Sequence, residues 1–135
     1  MITEFSFLGE GRDPITYDLS TEEALEELKA TEIIVKQGCE YQIRISFRVQ
    51  KEPVLGLKYK HKVKRMGKKL DAANLMLGSY APGPDIRTFT TDPEVAPSGM
   101  LARASYNVES VITDDDGVDH LGPWTWKLRI KKDWS

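Results

Sequence analysis

The C-terminal segment of the chain alternates between large apolar and polar side chains. One parity carries the apolar residues Trp124, Trp126, Leu128 and Ile130, and the other carries Thr125, Lys127, Arg129 and Lys131. Successive side chains of a β-strand point to opposite faces, so this pattern predicts a strand with one face turned to an apolar interior. The alternation is compatible with two kinds of interior, a packed core and an apolar pocket.

Similar patterns recur along the chain and predict a fold made of strands. Segments 41–49 and 57–65 alternate cleanly, and segments 3–8, 15–19, 33–36, 75–80, 87–90 and 100–113 also predict strands. Only residues 22–29 predict a helix, because Ser20 or Thr21 can cap it and its first turn is acidic. We therefore predict one domain over residues 1–135, an all-β, immunoglobulin-like antiparallel β-sandwich with one short helix.

Composition restricts the class of protein further. The chain has 135 residues, 40% of them apolar and 30% charged, which is typical of a globular protein. A formal net charge of −2 disfavours nucleic acid as a partner, since general binding to it needs an excess of cations. The single cysteine, Cys39, excludes an internal disulfide bond. No apolar run approaches the roughly 20 residues of a membrane span, so we expect no stable membrane insertion and a cytoplasmic location.

The chain offers little for catalysis or metal binding. His61 lies on the apolar parity of its strand and His120 lies in a loop, and neither has an evident nucleophile beside it. No glycine-rich phosphate loop precedes a helix. We therefore expect no enzyme activity, no catalytic residue, no cofactor and no metal site.

Two charged segments leave alternatives open. The acidic run of Asp114, Asp115 and Asp116 fits a solvated turn, a docking patch for a basic partner or, less well, a calcium site, because it lacks the ligand spacing of an EF-hand loop. The lysine-rich segment 58–69 could contact nucleic acid or anionic lipid. Lysines along one strand face also protect edge strands from aggregation, and no exposed aromatic side chains are interleaved for base stacking. A solvated face is therefore favoured for this segment.

Several motifs of the chain resemble the Rho GDP-dissociation inhibitor (Rho GDI) family. The motifs lie at 41–49 (YQIRISFRV), 56–59 (GLKY), 78–80 (GSY), 99–103 (GMLAR), 113–116 (TDDD), 119–121 (DHL) and 130–134 (IKKDW). The chain departs from the family pattern in the turn around Pro53 and at Gly122 and Pro123, which resemble a small insertion before the tryptophans.

The resemblance implies a sandwich that takes the geranylgeranyl tail of a Rho-family GTPase between its sheets. The protein would be a monomer that keeps the GTPase soluble and GDP-bound. The family's lipid-binding positions fall on Ile33, Tyr41, Val54, Leu101, Val108, Trp124 and Trp126. We further expect the basic segment next to the prenylated cysteine of the GTPase to contact Asp114, Asp115 and Asp116.

Family members usually carry an N-terminal arm that contacts the GTPase switch regions, whereas the predicted β-domain begins almost at Met1. We therefore expect this chain to retain lipid binding better than inhibition of nucleotide release. Two other functions stay open at this point. One is a carrier for a wider range of prenylated or acylated proteins, and the other is a protein-interaction module with a filled core.

Overall fold

The computed structural model describes residues 2–19, 21–30 and 32–134. Its strands are β1 (Ile2–Gly9), β2 (Ile15–Asp18), β3 (Glu32–Lys36), β4 (Glu40–Phe47), β5 (Val54–Arg65), β6 (Lys68–Tyr80), β7 (Arg87–Thr90), β8 (Glu94–Val95), β9 (Ser105–Thr113) and β10 (Asp119–Lys131). The one helix within the described ranges is α1 (Glu22–Lys29).

The strands form two sheets that pack face to face. Sheet I has the order β2-β1-β4-β7, and β8 also pairs with β4; sheet II has the order β3-β10-β9-β5-β6. The predicted all-β sandwich with one short helix is confirmed. The pairing differs from the prediction at one edge, where β3 runs parallel to β10. This parallel edge arises because the chain crosses from sheet I to sheet II through α1 before β3 begins.

The alternating pattern decides which faces of the sheets meet. Sheet I contributes Phe5, Phe7, Ile43, Ile45 and Phe47 to the interior, and sheet II contributes Leu57, Tyr59, Val108, Ile112, Trp124, Trp126, Leu128 and Ile130. Complete burial of a large apolar side chain contributes roughly 1.5–3 kcal/mol relative to exposure, so this interior is the main source of stability. The predicted parities of β4, β5 and β10 are confirmed.

Helix α1 closes one side of the sandwich. The Thr21 hydroxyl accepts a hydrogen bond from the backbone N–H of Ala24 at 3.2 Å, as expected for an N-cap. Leu28 is fully buried, while most of the remaining helix surface is charged. The helix therefore contacts the core through Leu28 and the partly buried Leu25, while the strands supply most of the interior.

The β5–β6 hairpin is longer than predicted, because β6 begins at Lys68 and not near Leu75. Met66 and Gly67 form a two-residue turn in which both φ angles are positive, 53° and 79°. Arg65 pairs directly with Lys68 across this turn. Hydrogen bonding in the hairpin thus extends β6 over residues 68–74, a mostly polar segment that the apolar pattern did not predict as strand.

Strand β9 is shorter than predicted, because it begins at Ser105 and not near Met100. The backbone N–H groups of Ala102 and Arg103 both donate to the Gly99 carbonyl, which makes residues 99–103 a turn. This turn removes the start of the predicted strand from the sheet. The two-residue strand β8 was not predicted either.

The sequence departure before the tryptophans is a β-bulge in β10. Leu121 pairs with Ile112 and Trp124 pairs with Ser110, so β10 has one more residue than β9 between these pairs. Gly122 occupies the bulge with a φ of 84°. The extra residue shifts the parity of β10, and Leu121 and Trp124 therefore both face the interior.

Candidate functional site

An apolar cleft opens between the sheets where β4 and β8 face the β5–β6 hairpin. It has two adjoining parts, with volumes of about 240 and 230 Å³, which share Tyr41, Val63, Asp71 and Glu94 as lining residues. The first part is also lined by Leu70, Val95, Tyr106 and Leu128, and the more enclosed part by Ile43, Tyr59, His61 and Leu75. Each part is smaller than a typical ligand pocket of about 300–1,000 Å³, but together they reach that range.

Tyr41 lies at the junction of the two parts. Its ring stacks on Phe7 with a centroid distance of 5.5 Å and an interplanar angle of 17°. Burial, together with the nearby carboxylates of Glu94 and Asp71, raises the pKa of Tyr41 to about 12. The cleft therefore offers a neutral phenol beside two carboxylates, and its wall combines apolar side chains with a few more polar ones, which are His61, Thr91 and Asp92.

A chain of buried hydrogen bonds supports the wall of the cleft in sheet II. The indole Nε1 of Trp126 donates to the Ser110 hydroxyl at 3.0 Å, and that hydroxyl lies 2.9 Å from the Tyr59 hydroxyl. The Tyr59 hydroxyl lies 3.1 Å from Nδ1 of His61. A neutral His61 can accept at Nδ1, so the donors of Trp126, Ser110 and Tyr59 then each have an acceptor.

Burial is also the main influence on the pKa values of Tyr59 and His61 in this hydrogen-bond chain. Burial lowers the pKa of His61, and the Asp71 carboxylate opposes this shift. Burial raises the pKa of Tyr59, while its hydrogen bond with Ser110 opposes that shift. Both effects favour neutral side chains, which is what an apolar cleft requires.

The structure places most of the predicted lipid-binding residues between the sheets. Ile33, Val54, Val108, Trp124 and Trp126 are buried, and Tyr41 is half-buried. Tyr41 alone among the seven lines the cleft itself. Leu101 is not brought to the interior, because it lies in the 99–103 turn with 85% of its surface exposed.

The interior near the tryptophans is filled by protein. Phe5 meets Trp124 edge-to-face with ring centroids 5.5 Å apart, and it meets Trp126 in the same manner at 6.5 Å. Trp124 Nε1 is buried and has no hydrogen-bond partner among the described residues. The sandwich therefore has a packed end around Phe5 and an open end around Tyr41.

The acidic run 114–116 does not act as three equivalent carboxylates. Asp114 is buried and accepts hydrogen bonds from the backbone N–H of Asp116, the backbone N–H of Val118 and Nε2 of His120, at 2.9, 3.1 and 2.7 Å. Burial by itself raises the pKa of Asp114, but these hydrogen bonds outweigh it and hold the pKa below its ordinary value. Asp114 therefore stabilises the loop from within.

Asp115 and Asp116 are the exposed members of the run. The Asp115 carboxylate accepts a hydrogen bond from Lys58 Nζ at 3.1 Å, and its backbone N–H donates to the Leu55 carbonyl at 3.0 Å. These contacts fix the acidic loop against the start of β5. The mouth of the cleft lies at Val63, further along β5, so about 17–26 Å of extended strand separates it from the contacts of the acidic loop with Lys58 and Leu55.

Sequence reasoning missed several residues of the cleft. Val63 and His61 share the interior parity of a predicted strand, so the alternation of β5 could have indicated them. Asp71 and Glu94 had no such signal, because they come from the polar start of β6 and from the two-residue β8. Their proximity depends on the packing of the two sheets.

Within the described ranges, no group of three or more histidine, cysteine, aspartate or glutamate side chains is arranged to hold a metal ion. The same ranges contain no helix with the length and apolar character needed to cross a bilayer.

The fold and the cleft define a class of protein: a two-sheet β-sandwich with an apolar cleft open at one edge. The chain belongs to the RHO protein GDP dissociation inhibitor family, whose model matches residues 1–133. It is 48% identical over 122 residues to Rho GDP-dissociation inhibitor 1 of Bos taurus, covering 90% of this chain and 58% of that protein. It is 43% identical over 122 residues to Rho GDP-dissociation inhibitor 3 of Mus musculus, covering 90% and 53%.

The Rho GDP-dissociation inhibitor of Schizosaccharomyces pombe is 36% identical over 135 residues, covering 100% of this chain and 65% of that protein. The chain therefore spans less than two thirds of the length of each of these three curated relatives. The resemblance to the family that the sequence motifs indicated is confirmed.

Proposed function

We propose that this chain binds the geranylgeranyl tail of a Rho-family GTPase in the cleft between its sheets and so keeps the GTPase soluble, GDP-bound and in the cytoplasm. The observation that carries the proposal is an apolar cleft, open at one edge, in a member of a family named for inhibiting GDP dissociation from Rho proteins. In this role the protein is a monomeric carrier and not an enzyme.

The energetics favour a tail that enters at Tyr41 and extends inward. A geranylgeranyl chain has about twenty carbons, and each buried CH₂ contributes roughly 0.8 kcal/mol before the costs of association. The cleft in its present form accommodates only part of such a chain. Complete burial requires the sheets to separate further towards Val108 and Trp126, which lie next along the interior from Val63.

The residues predicted for lipid binding then divide into two groups. Tyr41 contacts the tail near the mouth, and Ile33, Val108, Trp124 and Trp126 line the deeper space that opens on binding. Val54 lies at the far end of β5 and marks the limit of this space. Leu101 contacts the tail only where it leaves the cleft, since its side chain is outside the interior.

Two sets of carboxylates are available for the cationic segment that precedes the prenylated cysteine. Asp71 and Glu94 line the mouth, so they contact the residues nearest the cysteine. Asp115 and Asp116 contact a more distant part of the GTPase, while Asp114 positions their loop. Exposed ion pairs contribute about 0.2–1 kcal/mol each and weaken with salt, so they influence the association rate more than the affinity.

Calorimetry with a geranylgeranylated C-terminal peptide and its unprenylated twin tests this function. We expect heat from the prenylated peptide alone. Val63→Phe fills the cleft and should weaken binding by about tenfold or more, because overpacking opposes entry of the tail. Val111→Phe makes the same change on the outer face of sheet II, where Val111 pairs with Lys60, and should leave binding unchanged.

Equal heats from the two peptides would contradict lipid recognition. No heat from either peptide would favour the interaction module with a filled core. Equal affinity for a farnesylated or acylated peptide would favour the broader carrier.

A further inference from the structure

We propose that the rim of the cleft docks on an anionic lipid bilayer. The rim consists of the β5–β6 hairpin tip (residues 62–70) and the segment 95–103, which ends in the 99–103 turn. This inference goes beyond the proposed function, because it assigns a second ligand, the membrane surface itself, and requires no GTPase.

The rim carries apolar side chains that the fold leaves in water. Met66 is 94% exposed, Met100 is 81% exposed and Leu101 is 85% exposed. Met66 occupies the first position of a hairpin turn with a φ of 53°, where asparagine or glycine would be favoured. A long apolar side chain at this position serves no packing function within the described protein.

Tertiary contacts hold the two parts of the rim together. Arg65 Nη1 donates to the Leu101 carbonyl at 2.6 Å, and its guanidinium lies 5.7 Å from the Tyr106 ring centroid. The Tyr106 hydroxyl donates to the Ala102 carbonyl at 2.7 Å. Met66, Met100 and Leu101, which are distant in sequence, therefore belong to one surface.

This surface is continuous with the mouth of the cleft. Leu70 lies on the β6 side of the hairpin tip, and Val95 precedes the 99–103 turn; both are exposed and both line the cleft. A membrane in contact with the rim would therefore face the opening through which an apolar tail passes.

The charge of the rim complements anionic lipid. Lys62, Lys68, Lys69 and Arg103 are exposed, and none has an ion pair within the described part of the chain. Lys64 is paired with Glu109 at 3.0 Å. The carboxylates of Asp71, Asp92 and Glu94 also lie nearby, and they belong to the cleft wall.

Apolar side chains among unpaired cations are typical of peripheral membrane contacts, where the apolar groups enter the interface and the cations meet anionic headgroups. Single-stranded nucleic acid, the other polyanion, is bound with aromatic side chains on which bases stack. The exposed apolar residues of the rim are methionine, leucine and valine, so the bilayer is favoured.

Co-sedimentation with phosphatidylcholine vesicles, with and without phosphatidylserine, tests the proposal in the absence of any GTPase. We expect salt-sensitive binding only to the vesicles that contain phosphatidylserine. Lys68→Glu with Lys69→Glu should reduce partitioning by about tenfold or more. The triple variant Met66→Ser, Met100→Ser and Leu101→Ser should reduce it by a similar factor.

Leu55→Ser with Val118→Ser is the matched control, because these side chains are 53% and 52% exposed at the opposite end of β5. The control should bind vesicles like the unmodified chain, and the rim variants should keep their urea unfolding midpoints. Failure of the unmodified chain to bind phosphatidylserine vesicles, or unchanged binding by the triple variant, would overturn the proposal.

Displacement of the protein from vesicles by a single-stranded oligonucleotide, with the triple variant unaffected in oligonucleotide binding, would assign the cations to nucleic acid and would also overturn it. Calorimetry with the prenylated peptide is a separate measurement in solution. A failure of the cleft function is thus distinguished from a failure of the membrane contact.

Discussion

Replacing Ser110 with alanine removes the centre of the buried hydrogen-bond chain behind the cleft. Ser110 is 1% exposed, and its hydroxyl accepts from Trp126 Nε1 at 3.0 Å and meets the Tyr59 hydroxyl at 2.9 Å. In the alanine variant Tyr59 keeps His61 as a partner, but the indole N–H of Trp126 has none. A buried donor without a partner costs about 1–3 kcal/mol.

We therefore expect Ser110→Ala to lower the free energy of unfolding by about 2–3 kcal/mol, from the orphaned indole and the lost bond to Tyr59. Urea denaturation followed by tryptophan fluorescence measures this change, with an unchanged m-value as the sign that the unfolded state is unaffected. The loss is large for a domain whose total stability is about 5–15 kcal/mol.

A double-mutant cycle with Trp126→Phe tests whether the unpaired indole N–H causes this loss of stability. Phenylalanine has no N–H to leave without a partner, so Ser110→Ala should cost less in that background, with a coupling of about 1 kcal/mol or more. A cost for Ser110→Ala below about 0.5 kcal/mol, or a coupling near zero, would refute the conclusion that the buried hydrogen-bond chain stabilises the fold.

Gly56 has a φ of 62°, and a Cβ there would collide with the Asp115 carboxylate. Gly67 has a φ of 79°, but a Cβ there would have no atom of the described residues within 4 Å, so Gly56→Ala should destabilise more than Gly67→Ala. Equal losses of stability in urea would contradict the collision. Asp114 has a lowered pKa, so its stabilisation is present above about pH 4 and is lost as the pH falls through the folded-state pKa. Asp114→Asn should abolish this acid dependence, measured as unfolding free energy against pH. Burial lowers the pKa of His61, so below about pH 6.5 the unfolded chain binds a proton that the folded chain does not bind. Stability therefore falls as the pH falls, until the folded-state pKa is reached. His61→Gln should remove this slope between pH 6.5 and the folded-state pKa, and an unchanged slope would assign it to other groups.

Much of the cleft's neighbourhood follows from local patterns in the sequence. The alternation around Trp124 and Trp126 predicts a buried strand face, since side-chain direction in a strand has a period of two. The same rule identifies Tyr41 as an interior residue of β4. These predictions succeed because they depend only on neighbouring residues and on the apolar character of the interior.

The location of the opening could not be obtained in this way. Leu101 has an apolar side chain within a predicted strand, but the backbone bonds to Gly99 turn that segment out of the sheet. The carboxylates of Asp71 and Glu94 meet at the cleft mouth only because β6 and β8 belong to different sheets that pack together. Contacts between residues far apart in sequence leave no local pattern.

The sequence by itself therefore determined the class of fold, the parity of each main strand and the family. Only the tertiary structure decided which end of the apolar interior is packed and which is open. Phe5 fills the space beside Trp124, whereas the space between Tyr41 and Val63 forms the cleft. The physical reason is that packing density depends on the volumes of side chains brought together across two sheets, while alternation records only the direction in which each one points.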